Sequence, residues 1–388
     1  MSEYQRYEFM TVDRPLSAGQ LEEVEDLSSH IEASATHALI EYNWGDFKHD
    51  PIKVLREYFD GFLYWANWGS PRLAFRFPHG VLPSNFIEDY DFDEFVTFTK
   101  YKDYDILDIH FAEMEAPDEW VDYQLSPLLG LREELIEGDL RGLYIAWLAA
   151  QAFITGYEDY EEDEEDEEGE DEEEDYEIGI PVPPGFDRLT AAQHALTELL
   201  RIPEELLVAA ARHSEGAAPE NSDDLVAWLK LLSPERRDDY LLRLAQNEPG
   251  LGRKLLYELR ELGRDKTTIP ATGKRIPYTT LVAESKEIKG QLERERREQE
   301  RLTRLRHLQE VHDRQEDYWR RAEQGAQRGV ASGYDEALQS LIALRDSAAQ
   351  FNESREFQEH FSAWVRSHLR RPALLKRLQS NGFSLPEA

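Results

Sequence analysis

The chain has 388 residues, enough for two or three domains, and 40% of them are apolar, including 17 Phe, 18 Tyr and 8 Trp, so a sizeable core can form. A formal net charge of −36 excludes nucleic-acid binding through a general basic footprint. The absence of cysteine removes disulfides, iron–sulfur clusters, Cys-based zinc sites and thiol catalysis.

The charge is unevenly spread. Residues 1–157 carry 11 Lys/Arg against 30 Asp/Glu, whereas residues 178–388 carry 33 of each. Between them, 17 of the 20 residues from Glu158 to Glu177 are acidic, interrupted only by Tyr160, Gly169 and Tyr176. Like charges at this density repel and have no apolar surface to bury, so 158–177 is expected to be a disordered linker. Three readings of it stand: an inert spacer, a lure for a basic partner or stand-in for a phosphate backbone, and a strap over an arginine-rich helix near Arg294–Arg306. The start, Met1 to Arg6, lacks a basic region followed by an apolar one. No segment offers about 18 uninterrupted apolar residues. The expectation is a cytoplasmic protein without a membrane span.

The N-terminal half reads as α+β. Tyr7 to Val12 alternates as a strand, and Ser17 with Gln20 forms a capping box ahead of a helix carrying Leu21, Val24 and Leu27. Thr36 to Tyr42 alternates again. Asp50-Pro51 then opens a helix expected to run from Ile52 to Asn67, buried nearly all round by its end. Arg72 to Phe77 is a strand, and Phe95–Tyr101 with Tyr104–Phe111 makes a hairpin about Lys102-Asp103. The order predicts a mostly antiparallel sheet, of ferredoxin-like type, in a domain spanning 1–157 and closed by helices from Pro127 to Ile154.

The C-terminal half reads as all-α. Leu and Ala at spacings of three and four predict a helical bundle over 178–276. The last region, 277–388, opens with one long charged helix from Leu281 to Glu323, laced by Glu293–Arg297, Glu300–Arg304, Glu310–Arg314, Glu316–Arg320 and Asp317–Arg321. Leu302, Leu305 and Leu308 suggest a coiled coil, yet the register puts Gln309, His312 and Glu316 at core positions, so no sustained seam is expected. Ser332 to Asp335 caps a further helix, and a helical hairpin with a short closing helix over Pro372–Leu378 ends the chain.

Two Asn-Trp-Gly triplets, at 43–45 and 67–69, are the most unusual local feature. One reading makes Trp44, Asp46, Trp68, Arg72 and Arg76 a small-ligand or peptide pocket. The other has the indoles filling core corners beside glycines of positive φ, with Arg76 a solvated charge. Glu41, Asp46, His49 and His110 are acid/base candidates, but no spacing fixes them in mutual reach, so no catalytic residue is assigned. No HExxH, DxDxDG, GxGxxG, GxxxxGK[ST] or GxSxG occurs, and His307 and His312 do not share a helix face. No metal or cofactor is expected.

The segments Glu41-Tyr42-Asn43-Trp44-Gly45-Asp46-Phe47 and Ala66-Asn67-Trp68-Gly69 resemble an uncharacterised bacterial protein family. The tail from Gly333 to Leu378 is similar to C-terminal helices associated with bacterial SWIM zinc-finger-type proteins. The resemblance implies a bacterial cytosolic protein with no assigned activity. A SWIM zinc site needs Cys ligands, so any zinc or DNA role it implies would reside in a partner. The expectation from sequence is a non-enzymatic interaction or scaffold protein, whose partners are other proteins, basic or SWIM zinc-finger-type ones among them. A ligand pocket around Trp44 and Trp68, and acidic regulation of a nucleic-acid-binding partner, are the alternatives.

Overall fold

The computed structural model describes residues 3–82, 90, 92, 95–112, 114, 120–155, 179–216, 224–248, 250–263 and 274–386. The acidic run at 158–177 lies outside them. The chain divides into two compact units, residues 1–288 and 289–388.

The first unit is built on seven strands: β1 (Gln5–Met10), β2 (Ile31–Ala33), β3 (His37–Tyr42), β4 (Gly61–Ala66), β5 (Gly69–Pro78), β6 (Val96–Lys100) and β7 (Tyr104–His110). They form one sheet in the order β2-β3-β1-β4-β5-β7-β6. Every pairing is antiparallel. The α+β reading and the hairpin about Lys102-Asp103 hold. The ferredoxin-like type does not, because that arrangement needs a parallel pair joined by a crossover helix.

The largest departure from expectation is at 52–67. The helix α2 (Pro51–Tyr58) stops at Tyr58, where Phe59 turns extended at φ −121° and ψ 172°, and the aromatic run that follows is β4. Asp50 caps α2 and Pro51 starts it as expected, but nothing in the apolar run marks its end. Both faces of the sheet are covered, so its central strand is apolar on both sides and loses the alternation that identifies a strand. On one face Tyr7, Phe9, Ala38, Ile40, Phe62, Ala74 and Ile106 pack with Val24 of α1 (Ala18–Glu25) and with Val54 and Leu55 of α2. On the other, a Cβ on Gly61 would lie 2.8 Å from the end of the Leu129 side chain, so the chain after residue 120 packs directly on β4 there.

The helices α3 (Gly130–Glu137) and α4 (Arg141–Thr155) follow, and α4 is buried from Arg141 to Gln151. Beyond the acidic run come α5 (Ala191–Leu199), α6 (Glu204–Arg212), α7 (Leu225–Leu229), α8 (Pro234–Ala245) and α9 (Leu251–Gly263). They share the first unit with the sheet. Gln193 of α5 donates to Glu134 and Asp139, and Arg260 of α9 donates to Glu133. The division of the chain therefore falls at 288/289 rather than at the acidic run, and the expected separate modules 1–157 and 178–276 are one unit.

The division lies inside α10 (Tyr278–Asp313). The single helix expected to reach Glu323 is interrupted at Arg314, whose φ of −123° breaks the turn, and α11 (Gln315–Arg328) continues. Glu293–Arg297 and Glu310–Arg314 pair as spaced, whereas Arg320 takes Asp317 and Arg304 reaches Asp346. In the second unit α11 packs on α12 (Ala331–Gln350), with α13 (Ser354–Ser367) and α14 (Pro372–Ser380) closing a core of Val311, Ala326, Leu341, Phe361, Val365, Leu374 and Leu378. The hairpin and closing helix are as expected. The cap is not, since α12 begins at Ala331 after Val330, with no capping side chain.

Candidate functional site

The five residues of the sequence-based pocket do not converge. β3 ends at Tyr42 and β4 at Ala66, and both ends lie beside Gln5 of β1, so the Trp44 and Trp68 loops leave the sheet from one end. Gln5 Nε2 donates to Gly45 O (3.0 Å) and to Asp46 Oδ1 (2.9 Å), and Tyr4 N donates to Asn67 Oδ1 (2.9 Å). Gly45 and Gly69 do take positive φ, at 92° and 105°. The indoles, however, fill no core corner: Trp44 is 67% and Trp68 43% exposed. Trp120, not anticipated from sequence, is exposed at the same end and meets Tyr4 at 5.0 Å and Trp65 at 5.4 Å.

Arg72 and Arg76 lie farther along β5, four residues or about 13 Å apart. Arg72 grips Asp108 on β7, its Nε donating to Oδ1 at 3.0 Å and Oδ2 at 3.2 Å and its Nη2 to Oδ2 at 2.6 Å. Arg76 donates to Asp60 Oδ1 (2.7 Å) and to Arg56 O (2.7 Å), so it is an anchored ion-pair partner and not a solvated charge. Glu41 is taken by Tyr4 and Arg6, and His49 meets Phe47 at a tilt with ring centroids 5.4 Å apart. Burial, with Arg72 alongside, holds His110 below the usual imidazole range. Among the described residues no hydrogen bond joins Glu41, Asp46, His49 and His110, and no cluster of three His, Asp or Glu suits a metal ion.

Arg76 instead lines a cavity of about 1010 Å³ elsewhere in the first unit. One wall is the end of β5 with the turn through His79 and Gly80, joined by Asp103 and Tyr104 of the β6–β7 hairpin. The facing wall is α8, through Arg236, Tyr240 and Arg243, and α9, through Arg253, Lys254, Tyr257 and Arg260. Gly250 makes this approach possible, since at φ +70° its absent Cβ would lie 2.4 Å from Asp13 O.

Buried charge organises the cavity floor. Asp60, 1% exposed, accepts from Val12 N (2.7 Å), Asp13 N (2.9 Å) and Arg76. Burial alone would raise its pKa, but Arg76, Arg132 and the two N–H groups together hold it below the ordinary aspartate value. Arg132 of α3, equally buried, donates to Asp13 Oδ2 (2.7 Å) and to Tyr257 Oη (3.0 Å), while its Nε caps Arg76 O at 2.8 Å. Tyr257 donates to Asp13 at 2.8 Å, and burial pushes its phenol up to about 12. His79 Nδ1 meets Asp105 at 2.8 Å on the rim. Segments near residues 13, 60, 76–82, 104 and 236–262 build this cavity, and no local spacing in the sequence announces such a meeting.

The first unit also carries an apolar surface. Leu225, Val226 and Leu229 of α7, Leu231 beyond it, Leu241, Leu242 and Leu244 of α8, and Leu262 of α9 are each between 41% and 70% exposed. α8 turns Tyr240 inward and all three of its leucines outward. α7 and α8 both pack on α9, and Trp228 of α7 occupies the space a Cβ on Gly263 would need. No protein-family model, curated protein or solved structure matches the chain.

Proposed function

We propose that this chain is a non-enzymatic protein-binding protein and that α7, α8 and α9 form its docking face. The observation that carries this reading is the group of eight exposed leucine and valine side chains on and beside α7, α8 and α9, of which α7 and α8 each pack on α9. Isolated exposed leucines are ordinary on a protein surface, but a concentration of them marks an interaction site. The flanking charges are mixed in sign, which suits a polar rim around an apolar centre. The partner it fits is a protein presenting an apolar helix face, read through leucines at i and i+3 such as Leu241 and Leu244.

The test is capture from native cytosol by the full chain, compared with the double variant Leu241→Asp/Leu244→Asp. The expected result is loss of the captured partner with the melting temperature unchanged, because both side chains are already in water. A sedimenting dimer that the same variant dissolves would make a second copy the partner. Unchanged capture, or a collapse in stability, would overturn the assignment.

A further inference from the structure

On the sheet face opposite α1 and α2, strand register sets Glu41, Arg6 and Trp65 side by side on β3, β1 and β4. The chain beyond residue 120 crosses this row. Trp120 meets Tyr4 and Trp65 edge to face, at interplanar angles of 64° and 68°, and Tyr123 meets Trp65 at 85°. Buried Trp65 donates Nε1 to Tyr123 O (3.0 Å) and forms a fixed floor, whereas Trp120 is 64% exposed. Asn67, which accepts from Tyr4 N, ties the loop carrying exposed Trp68 to the same end. The charge beside these rings is acidic and loosely compensated. Arg6 is the cation shared by Glu8, Glu41 and Asp122, at 3.5, 3.4 and 3.4 Å, all longer than the about 2.7–2.9 Å of a close charge-assisted bond. Even with His37 protonated against Glu8, one negative charge is left over. Arg201 and Glu198, both near Tyr123, offset each other. Glu41 and Asp122 are the accessible members, with side chains 44% and 50% exposed.

We propose that this surface binds a basic, proline-rich segment of a partner protein in the polyproline II conformation. Rings that meet edge to face stand up as ridges, and proline rings pack against such ridges. A polyproline II chain has no internal hydrogen bonds and keeps its backbone in water, so it needs no strand edge to dock on, and its stiffness lowers the ordering cost. Arginines in the segment answer Glu41 and Asp122, whose planar carboxylates a guanidinium fork matches. The excess of 30 Asp/Glu over 11 Lys/Arg in residues 1–157 draws such a segment in. Because Tyr4, Trp65 and Trp120 touch one another, no hollow remains among them to cage a small quaternary ammonium ligand. None of these residues belongs to the docking face on α7, α8 and α9.

Calorimetric titration of the full chain with three synthetic peptides tests it: three repeats of Arg-Pro-Pro, of Gln-Pro-Pro and of Arg-Gly-Ser. The expected result is saturable binding of the first, weakened by added salt, with the other two binding about tenfold or more weakly. Trp120→Ala should weaken the Arg-Pro-Pro peptide by a similar factor. The double variant Glu41→Gln/Asp122→Asn keeps every ring and leaves Arg6 paired with Glu8, so its melting temperature should hold while its affinity for that peptide falls and loses most of its salt dependence. Equal binding of the Gln-Pro-Pro peptide would remove charge from the recognition, and equal binding of the Arg-Gly-Ser peptide would remove the polyproline II conformation; either overturns the proposal. So would no saturable binding of the Arg-Pro-Pro peptide at millimolar concentration, an affinity the double variant leaves unaltered, or tighter binding of the neutral sugar cellohexaose in a parallel titration.

Discussion

Asp60 is a charge kept where water cannot reach it. Its carboxylate holds the β1 exit through Val12 and Asp13 and holds β5 through Arg76, so it ties three segments at the cavity floor. Removing one partner of a buried pair leaves the other uncompensated, at a cost of about 3–5 kcal/mol. Asp60→Asn should therefore lower unfolding free energy by about that amount at pH 7, measured by denaturant titration. The pH dependence has a definite sign. A carboxylate whose folded pKa is depressed contributes stability above its unfolded value of about 3.9, and loses it as pH falls through the folded value. The difference between wild type and Asp60→Asn should thus shrink below pH 4, and a difference constant down to pH 2 would remove the charge from the explanation. Asp60 falls inside an apolar run whose pattern reads as a helix, so nothing in the sequence marks it. Arg76 was singled out, but its partner could not be.

At the scale of elements, most of the fold was legible where a side chain announces a boundary. Ser17 with Gln20 and Asp50-Pro51 both start helices where their capping chemistry says they should. Legibility failed where burial on both faces erased periodicity, at β4, and where a pattern of leucines had two possible inner faces, at α8. The helix pair of the second unit shows a contact whose meaning only the structure supplies. Gly325 of α11 and Gly333 of α12 meet so closely that a Cβ on either would lie 2.5 Å from the carbonyl oxygen of the other. Glycine inside an exposed helix is destabilising by roughly 0.5–1 kcal/mol relative to alanine, so Gly→Ala normally helps. Here the sign reverses, because backbone cannot yield as a side chain can. Gly325→Ala should cost about 1–3 kcal/mol as the helices are forced apart. A variant more stable than wild type in thermal melts would show that α11 and α12 do not pack this closely.

For the whole molecule, the acidic run suggested where the chain divides, and the division lies elsewhere. Composition changes abruptly at 158, but the helices beyond the run bond back to α3 and to Asp13 after β1 through Gln193, Arg253, Tyr257 and Arg260. Composition reports solvation of a segment and says nothing about which later segment packs against which earlier one. The compact unit ends instead within α10, a helix whose charged surface carries no compositional break at 288/289. Residues 289–388 have their own aromatic and aliphatic core, with Phe361 fully buried between Phe357 and Phe383 at ring distances of 5.7 Å and 5.0 Å. If that core sustains a separate cooperative unit, destabilising it leaves the rest of the chain untouched. Phe361→Ala removes a buried ring and should cost about 3–5 kcal/mol within residues 289–388. Native-state hydrogen exchange on the full chain would then show protection falling in α11–α14 while the amides of β1, β4 and β5 keep theirs. A parallel loss in both sets would mean that 1–288 and 289–388 unfold as one body.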